Sequence, residues 1–176
     1  FLTETAAFAD VILPASAFPE KTGTFSNTDR RVQLGRQALD PPGDARQDLW
    51  IIQQIAKRLG LKWEYADVRD VFNEMRDAMP SISGMTWERL ESEHSVTYPC
   101  EEASDPGQSV VFEESFPTAD GRGRFVPADL KSADEKPDQD YPFVLITGRQ
   151  LEHWHTGAMT RRASVLNTIE PGAVVY

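Results

Sequence analysis

Residues 132–141, Ser-Ala-Asp-Glu-Lys-Pro-Asp-Gln-Asp-Tyr, constrain this chain more than any other stretch. They offer no apolar face at either helical or strand spacing, and their proline interrupts any ladder, so no packed layer continues through them. A boundary near residue 140 follows, and 176 residues then divide between more than one unit. Directly after the break, Phe143-Val144-Leu145-Ile146-Thr147 reads as a strand, and Ala173-Val174-Val175-Tyr176 opens another. The chain opens on Phe1 instead of methionine and stops inside that last strand, so it is expected to be a piece of a longer protein.

Charge follows the same division. Residues 1–60 hold seven basic and seven acidic side chains, residues 61–141 hold eight and nineteen, and residues 142–176 hold three and two. The acidity belongs to the middle, which reads as solvated surface. A net charge of −10 without a basic cluster excludes a sequence-blind grip on nucleic acid phosphates. No window approaches the roughly 18 unbroken apolar residues of a membrane span. A single cysteine, Cys100, excludes an internal disulfide and a cysteine-based zinc or iron–sulfur site within this chain, and favours a reducing compartment.

Along the chain, Phe8-Ala9-Asp10-Val11-Ile12-Leu13-Pro14 reads as a buried parallel strand closed by proline. The segment 20–31 is dense in hydroxyls around Gly23, and such a loop either wraps a polar ligand or simply turns. Pro41-Pro42-Gly43 breaks the chain, and Asp44 with Gln47 has the spacing of a capping box. Leu49, Ile52, Ala56 and Leu59 then form one stripe of a helix stopped by Gly60. A second helix starts at Asp67, with Val68, Val71, Phe72, Met75 and Met79 at helical spacing before Pro80. A shorter third starts from a Thr86 cap and turns Trp87 and Leu90 inward. From Ser95 to Asp120 the pattern weakens into short apolar pieces.

The densest polar cluster follows the strand at 143–147: Thr147-Gly148-Arg149-Gln150-Leu151-Glu152-His153-Trp154-His155-Thr156. A glycine turn, an arginine fork, two imidazoles and two hydroxyls at the mouth of a strand suit an anionic ligand. His153 and His155 share a face of an extended chain, which suits a metal, an anion, or two rings satisfied by nearby carbonyls. Asp48, in the first turn of its helix, either complements the helix dipole or accepts two adjacent donors of a guanine edge. Lys21 by itself reads as a surface lysine, and Cys100 as a structural thiol with no base beside it in sequence.

Four of these stretches together resemble the molybdopterin oxidoreductases. They are Ala9–Pro14, Glu20–Gln33, Pro42–Asp48 and Thr147–Thr156, in that order along the chain. Within the family, the Tyr98-Pro99-Cys100 stretch, Asp120–Pro127 and Gly157–Arg162 look like the catalytic alpha subunit of a formate dehydrogenase. Periplasmic nitrate reductases share much of the 147–156 pattern, and a nitrate reductase catalytic subunit is the alternative within the family. A non-catalytic interaction module that docks through the acidic middle is the alternative outside it, and a small zinc hydrolase built on His153 and His155 is a third.

The resemblance implies an α/β chain: the C-terminal part of a dinucleotide-binding-like domain over residues 1–65, a helical and irregular extension with an acidic linker over 66–140, and the opening strands of a C-terminal β-barrel domain over 141–176. It implies two molybdopterin guanine dinucleotides with molybdenum or tungsten, contacted by Lys21, Asp48, Thr147, Gly148, Arg149, Gln150, Leu151, Glu152, His153, Trp154, His155 and Thr156. It further implies formate as substrate, electron-transfer subunits carrying iron–sulfur clusters, flavin and NAD, and a cytoplasmic location. The family's metal-binding Cys or selenocysteine, its neighbouring His and its cluster cysteines match nothing in this chain. No residue here is therefore assigned as catalytic or metal-binding, iron–sulfur clusters are expected only outside it, and the chain alone is expected to be inactive.

Overall fold

The computed structural model describes residues 2–175. They fall into two compact units, one of residues 9–123 and one of residues 2–8 with 124–175.

In the first unit the hydroxyl-rich loop folds on itself. Strands β1 (Gly23–Ser26) and β2 (Arg31–Gly35) form an antiparallel hairpin with Gly23 opposite Gly35 and Ser26 opposite Val32. The Arg30 N–H donates to the Asn27 carbonyl at 3.0 Å and closes the turn between them. Arg30 sits at φ 67°, a costly region for a side-chain-bearing residue. Its guanidinium offsets that cost by donating to the carbonyls of Tyr98 and Ser109, each at 2.6 Å. Strand β3 (Ser95–Thr97) adds antiparallel to β2 with Val32 opposite Val96, giving the order β1-β2-β3.

Three helices accompany the sheet: α1 (Asp48–Arg58), α2 (Val68–Ala78) and α3 (Trp87–Glu93). Two start as their caps predict. The Asp67 carboxylate accepts the Arg69 N–H at 2.8 Å, and the Thr86 hydroxyl accepts the Arg89 N–H at 3.1 Å. Gly60, at φ 84°, ends α1 in a Schellman turn, with the Leu61 N–H on the Ala56 carbonyl at 3.0 Å and the Gly60 N–H on Lys57 at 3.1 Å. The core joins Val32 and Val96 of the sheet to Phe72, Trp87 and Leu90 of the helices, with Ile82, Met85 and Cys100 between. Burying each large side chain contributes about 1.5–3 kcal/mol. Phe72 meets Trp87 edge to face at 6.1 Å, and the Arg69 guanidinium lies 5.6 Å over the indole.

Several expectations are corrected. The apolar run before Pro14 forms no strand: Val11, Ile12 and Leu13 are exposed, and only Ala15 pairs, in an isolated parallel bridge to Arg46. A ladder needs a facing row of donors and acceptors, and no described strand supplies one there. Asp44 does not cap α1. Arg46, held extended by its bonds to the Pro14 carbonyl and the Ser16 N–H, delays the helix until Gln47 becomes the cap residue. Of the stripe on α1 only Ala56 is buried, while Ile52 and Leu59 are exposed.

The second unit carries a single-turn 3₁₀ segment at Thr160–Arg162 and a short helix α4 (Ser164–Ile169). Phe143–Thr147 is unpaired, with Phe143, Val144, Leu145 and Ile146 exposed, and Ala173–Val175 forms no strand; Tyr176 lies outside the described residues. The chain is mixed α/β, and its described sheet is the small antiparallel one of the first unit. No helix among the described residues is long and apolar enough to cross a membrane.

Cys100 is fully buried, as a structural thiol should be. The Arg89 guanidinium donates to its Sγ at 3.1 Å and to the Ala103 carbonyl at 3.2 Å, while the Cys100 carbonyl accepts the Gly84 N–H at 3.0 Å. Gly84 has no room for a side chain, since a Cβ there would stand 2.1 Å from the Glu102 carbonyl oxygen. Gly84→Ala is expected to cost about 1–3 kcal/mol, read as a lower urea midpoint; an unchanged midpoint contradicts this packing. Burial pushes the Cys100 thiol above its ordinary value of 9.0, against the opposing pull of Arg89. The neutral thiol is favoured in the fold, so its contribution is complete below that value and is lost as pH rises through the higher folded value. Raising pH from about 8 to about 10 should therefore lower the urea midpoint more in the native chain than in Cys100→Ala.

Candidate functional site

Lys21 and Asp48, separated by 27 positions, meet in the first unit. Lys21 follows the 3₁₀ turn Phe18–Glu20 and leads into β1, while Asp48 is the first residue of α1. Their side chains form an ion pair in which Lys21 is 25% and Asp48 50% exposed. Gln47 ties the same two segments together by donating to the Thr22 carbonyl at 2.8 Å. The pairing fixes the carboxylate at the helix terminus and leaves half of it open to a ligand. Neither residue's place in the sequence announces the other.

The cluster at 147–156 lies in the second unit, where Gly148, Arg149, Gln150, His153, Trp154 and His155 line one cavity of about 660 Å³. Thr147, Leu151, Glu152 and Thr156 do not line it. Arg149 is exposed and makes no hydrogen bond or ion pair with the described residues. A Cβ built at Gly148 meets nothing within 4 Å, so a ligand can approach the backbone beside the arginine. Gln150 donates to the Glu170 carboxylate at 3.2 Å.

The two histidines differ. His155 is exposed at φ 52° with its ring edge-on to Trp154 at 4.6 Å. His153 is buried, with both ring nitrogens engaged by the Glu170 carbonyl and the Thr160 hydroxyl. Those bonds leave no lone pair of His153 for a metal, and among the described residues no three His, Cys, Asp or Glu gather at one point. Thr160 falls inside the Gly157–Arg162 stretch with no role of its own marked there, and nothing in the sequence marks Glu170. A threonine before two arginines is a faint signal, and its meaning depends on a fold-back that spacing does not reveal.

The donor set fits a nucleotide-bearing pterin. An open guanidinium beside a bare glycine backbone suits pyrophosphate oxygens, and an exposed indole face suits a flat ring. At the other site, a carboxylate with free lone pairs suits the adjacent N–H donors of guanine. A double-mutant cycle on Lys21→Ala and Asp48→Ala should give a coupling of only about 0.2–1 kcal/mol, weakening as salt is raised. A coupling several times larger, insensitive to salt, would mean that the pair is a structural clasp with no carboxylate to spare.

Residues 1–58 match the family model described as Molybdopterin oxidoreductase. The chain is 46% identical over 168 residues to the F420-dependent formate dehydrogenase subunit alpha of Methanocaldococcus jannaschii, covering 94% of this chain and 25% of that protein. To the F420-dependent formate dehydrogenase 2 subunit alpha of Methanococcus maripaludis it is 43% identical over 173 residues, 97% of this chain and 25% of that one. To the assimilatory nitrate reductase catalytic subunit of Bacillus subtilis it is 38% identical over 174 residues, 94% of this chain and 24% of that one. The chain thus spans about a quarter of the length of these relatives. By this match and these identities, the sequence belongs to the molybdopterin oxidoreductase family and is similar to the alpha subunits of formate dehydrogenases.

Proposed function

We propose that the chain is a section of the catalytic subunit of a formate dehydrogenase, and that it helps to seat two molybdopterin guanine dinucleotides bearing molybdenum or tungsten. The observation that carries this reading is the unpaired Arg149 at a cavity shared with Gly148, Gln150, His153, Trp154 and His155. A guanidinium with no partner among the described residues, at a concave surface, suits an anion, and phosphate geometry accepts its forked donors two at a time. Gly148 admits the phosphate close to the backbone, Trp154 and His155 offer ring faces, and Thr147 and Thr156 offer hydroxyls near by. Leu151 and Glu152 complete the segment. In the first unit, Asp48 accepts from a guanine edge while Lys21 holds the carboxylate in place.

When bound, the metal–pterin group supplies the site to which formate gives up two electrons, leaving carbon dioxide and a proton. The residues of this chain bind and orient that group. The electrons pass to iron–sulfur clusters and partner subunits outside this chain. Flavin and NAD stand at the end of that path, or F420, after which the relatives from Methanocaldococcus jannaschii and Methanococcus maripaludis are named; assaying the complete enzyme with each acceptor separates these. A nitrate reductase is the second reading, favoured by the Bacillus subtilis relative, and formate oxidation against nitrate reduction decides it. The lone cysteine, buried and unpaired, supports a cytoplasmic location.

In the complete subunit, Arg149→Ala and Asp48→Ala should each weaken pterin retention by roughly 10-fold to 100-fold, the size expected for losing a charged hydrogen bond. Pterin and metal content unchanged in both variants would remove the assignment. The 176-residue chain by itself should oxidise no formate.

A further inference from the structure

Residues 153–157 are held through the His153 ring and the backbones of Trp154 and Gly157, and all but one of the partners lie at Thr160, Arg161 and Glu170. The Glu170 carbonyl can only accept, so Nε2 of His153 carries the ring proton and donates to it at 2.6 Å. In the neutral ring Nδ1 is then an acceptor, and the Thr160 hydroxyl donates to it at 3.2 Å. The same hydroxyl oxygen accepts the Trp154 backbone N–H at 3.1 Å. Thr160 therefore uses its donor on His153 and a lone pair on Trp154. Beyond it, the Gly157 N–H closes the turn on the Trp154 carbonyl at 2.9 Å, and the Gly157 carbonyl accepts the Arg161 N–H at 2.9 Å. Arg161 also reaches the Pro171 carbonyl at 3.1 Å. Within this turn Trp154 and His155 remain exposed, while His153 and Gly157 are buried.

We infer that Thr160 is a positioning residue: its hydroxyl, acting through His153 and the Trp154 backbone, holds the turn that presents Trp154 and His155 to the ligand cavity. The inference rests on the reading of that cavity as a cofactor seat, and it divides the labour within the motif. Arg149, Trp154 and His155 face the ligand. His153 supports them from below, although it lines the same cavity. Valine has the shape of threonine without the hydroxyl, so Thr160→Val removes both hydrogen bonds and little volume. Serine restores both.

The test uses the complete subunit, purified with its cofactor, with pterin content measured by fluorescence after oxidative release. Thr160→Val is expected to retain about tenfold less pterin than the native subunit, and Thr160→Ser close to the native amount. Arg149→Ala serves as the direct-contact control. If Arg149→Ala loses pterin and Thr160→Val keeps it, the positioning role is overturned and the cofactor seat stands. If Arg149→Ala keeps its pterin, the cofactor seat itself is overturned. A second measurement uses the native sequence alone: nitrogen-15 spectra of labelled subunit, with His153 assigned through bonds to its neighbours in the chain, should show a single Nε2–H tautomer with a slowly exchanging ring proton. An Nδ1–H tautomer, or rapid exchange of that proton, overturns the network whatever the pterin content.

Discussion

Backbone donors and acceptors must find partners, and in this chain that requirement decides which apolar stretches become strands. The hairpin of Gly23–Ser26 and Arg31–Gly35 forms because its two arms face each other across a tight turn. Ser95–Thr97 joins them from sixty residues further along because Val96 drops into register with Val32 and extends one apolar face. The core is built on that face. Phe72, Trp87 and Leu90 pack where the sheet offers Val32 and Val96, and Ile82, Met85 and Cys100 close the layer. The same requirement leaves Val11–Leu13 and Val144–Ile146 unpaired and exposed, although their composition is as strand-like as any in the chain.

Arginine does much of the fastening around this core. Arg30 holds the hairpin turn to the carbonyls of Tyr98 and Ser109, Arg76 holds that of Ser83, and Arg89 collects Gly84, Cys100 and Ala103. Each satisfies carbonyls in loops that have no ladder of their own, the use for which a planar, always charged fork is suited. The side chains of Arg36, Arg122, Arg124 and Arg149 fasten nothing among the described residues, and of these four only Arg149 lines the cavity of the second unit.

Much of the helical structure was legible in the sequence, because caps and periodicity are local. Asp67 and Thr86 start their helices, Gly60 ends one, and Trp87 and Leu90 turn inward as spacing predicts. The start of α1 was misread because Arg46 is drawn into a bridge with Ala15, a contact over thirty-one positions that no local pattern carries. The hydroxyl-rich loop was legible as a polar turn and not as a hairpin. The motif at 147–156 was legible as a unit, yet the different fates of His153 and His155 were not, because they depend on where Thr160 and Glu170 return.

The sequence alone determined the family, through four motifs in order, and with it the chemistry of an arginine, a helix-terminal carboxylate and a ring-bearing turn. It also determined the absence of a disulfide and of a cysteine-held cluster within these residues, since one thiol cannot make either. Only the tertiary structure decided that Lys21 closes on Asp48, that Cys100 lies sealed beneath Arg89, and that one imidazole of the motif is spent on support while the other stays open. Residue type sets what a side chain is able to bind. Which partner it meets is set by chain return over distances that composition and spacing do not encode.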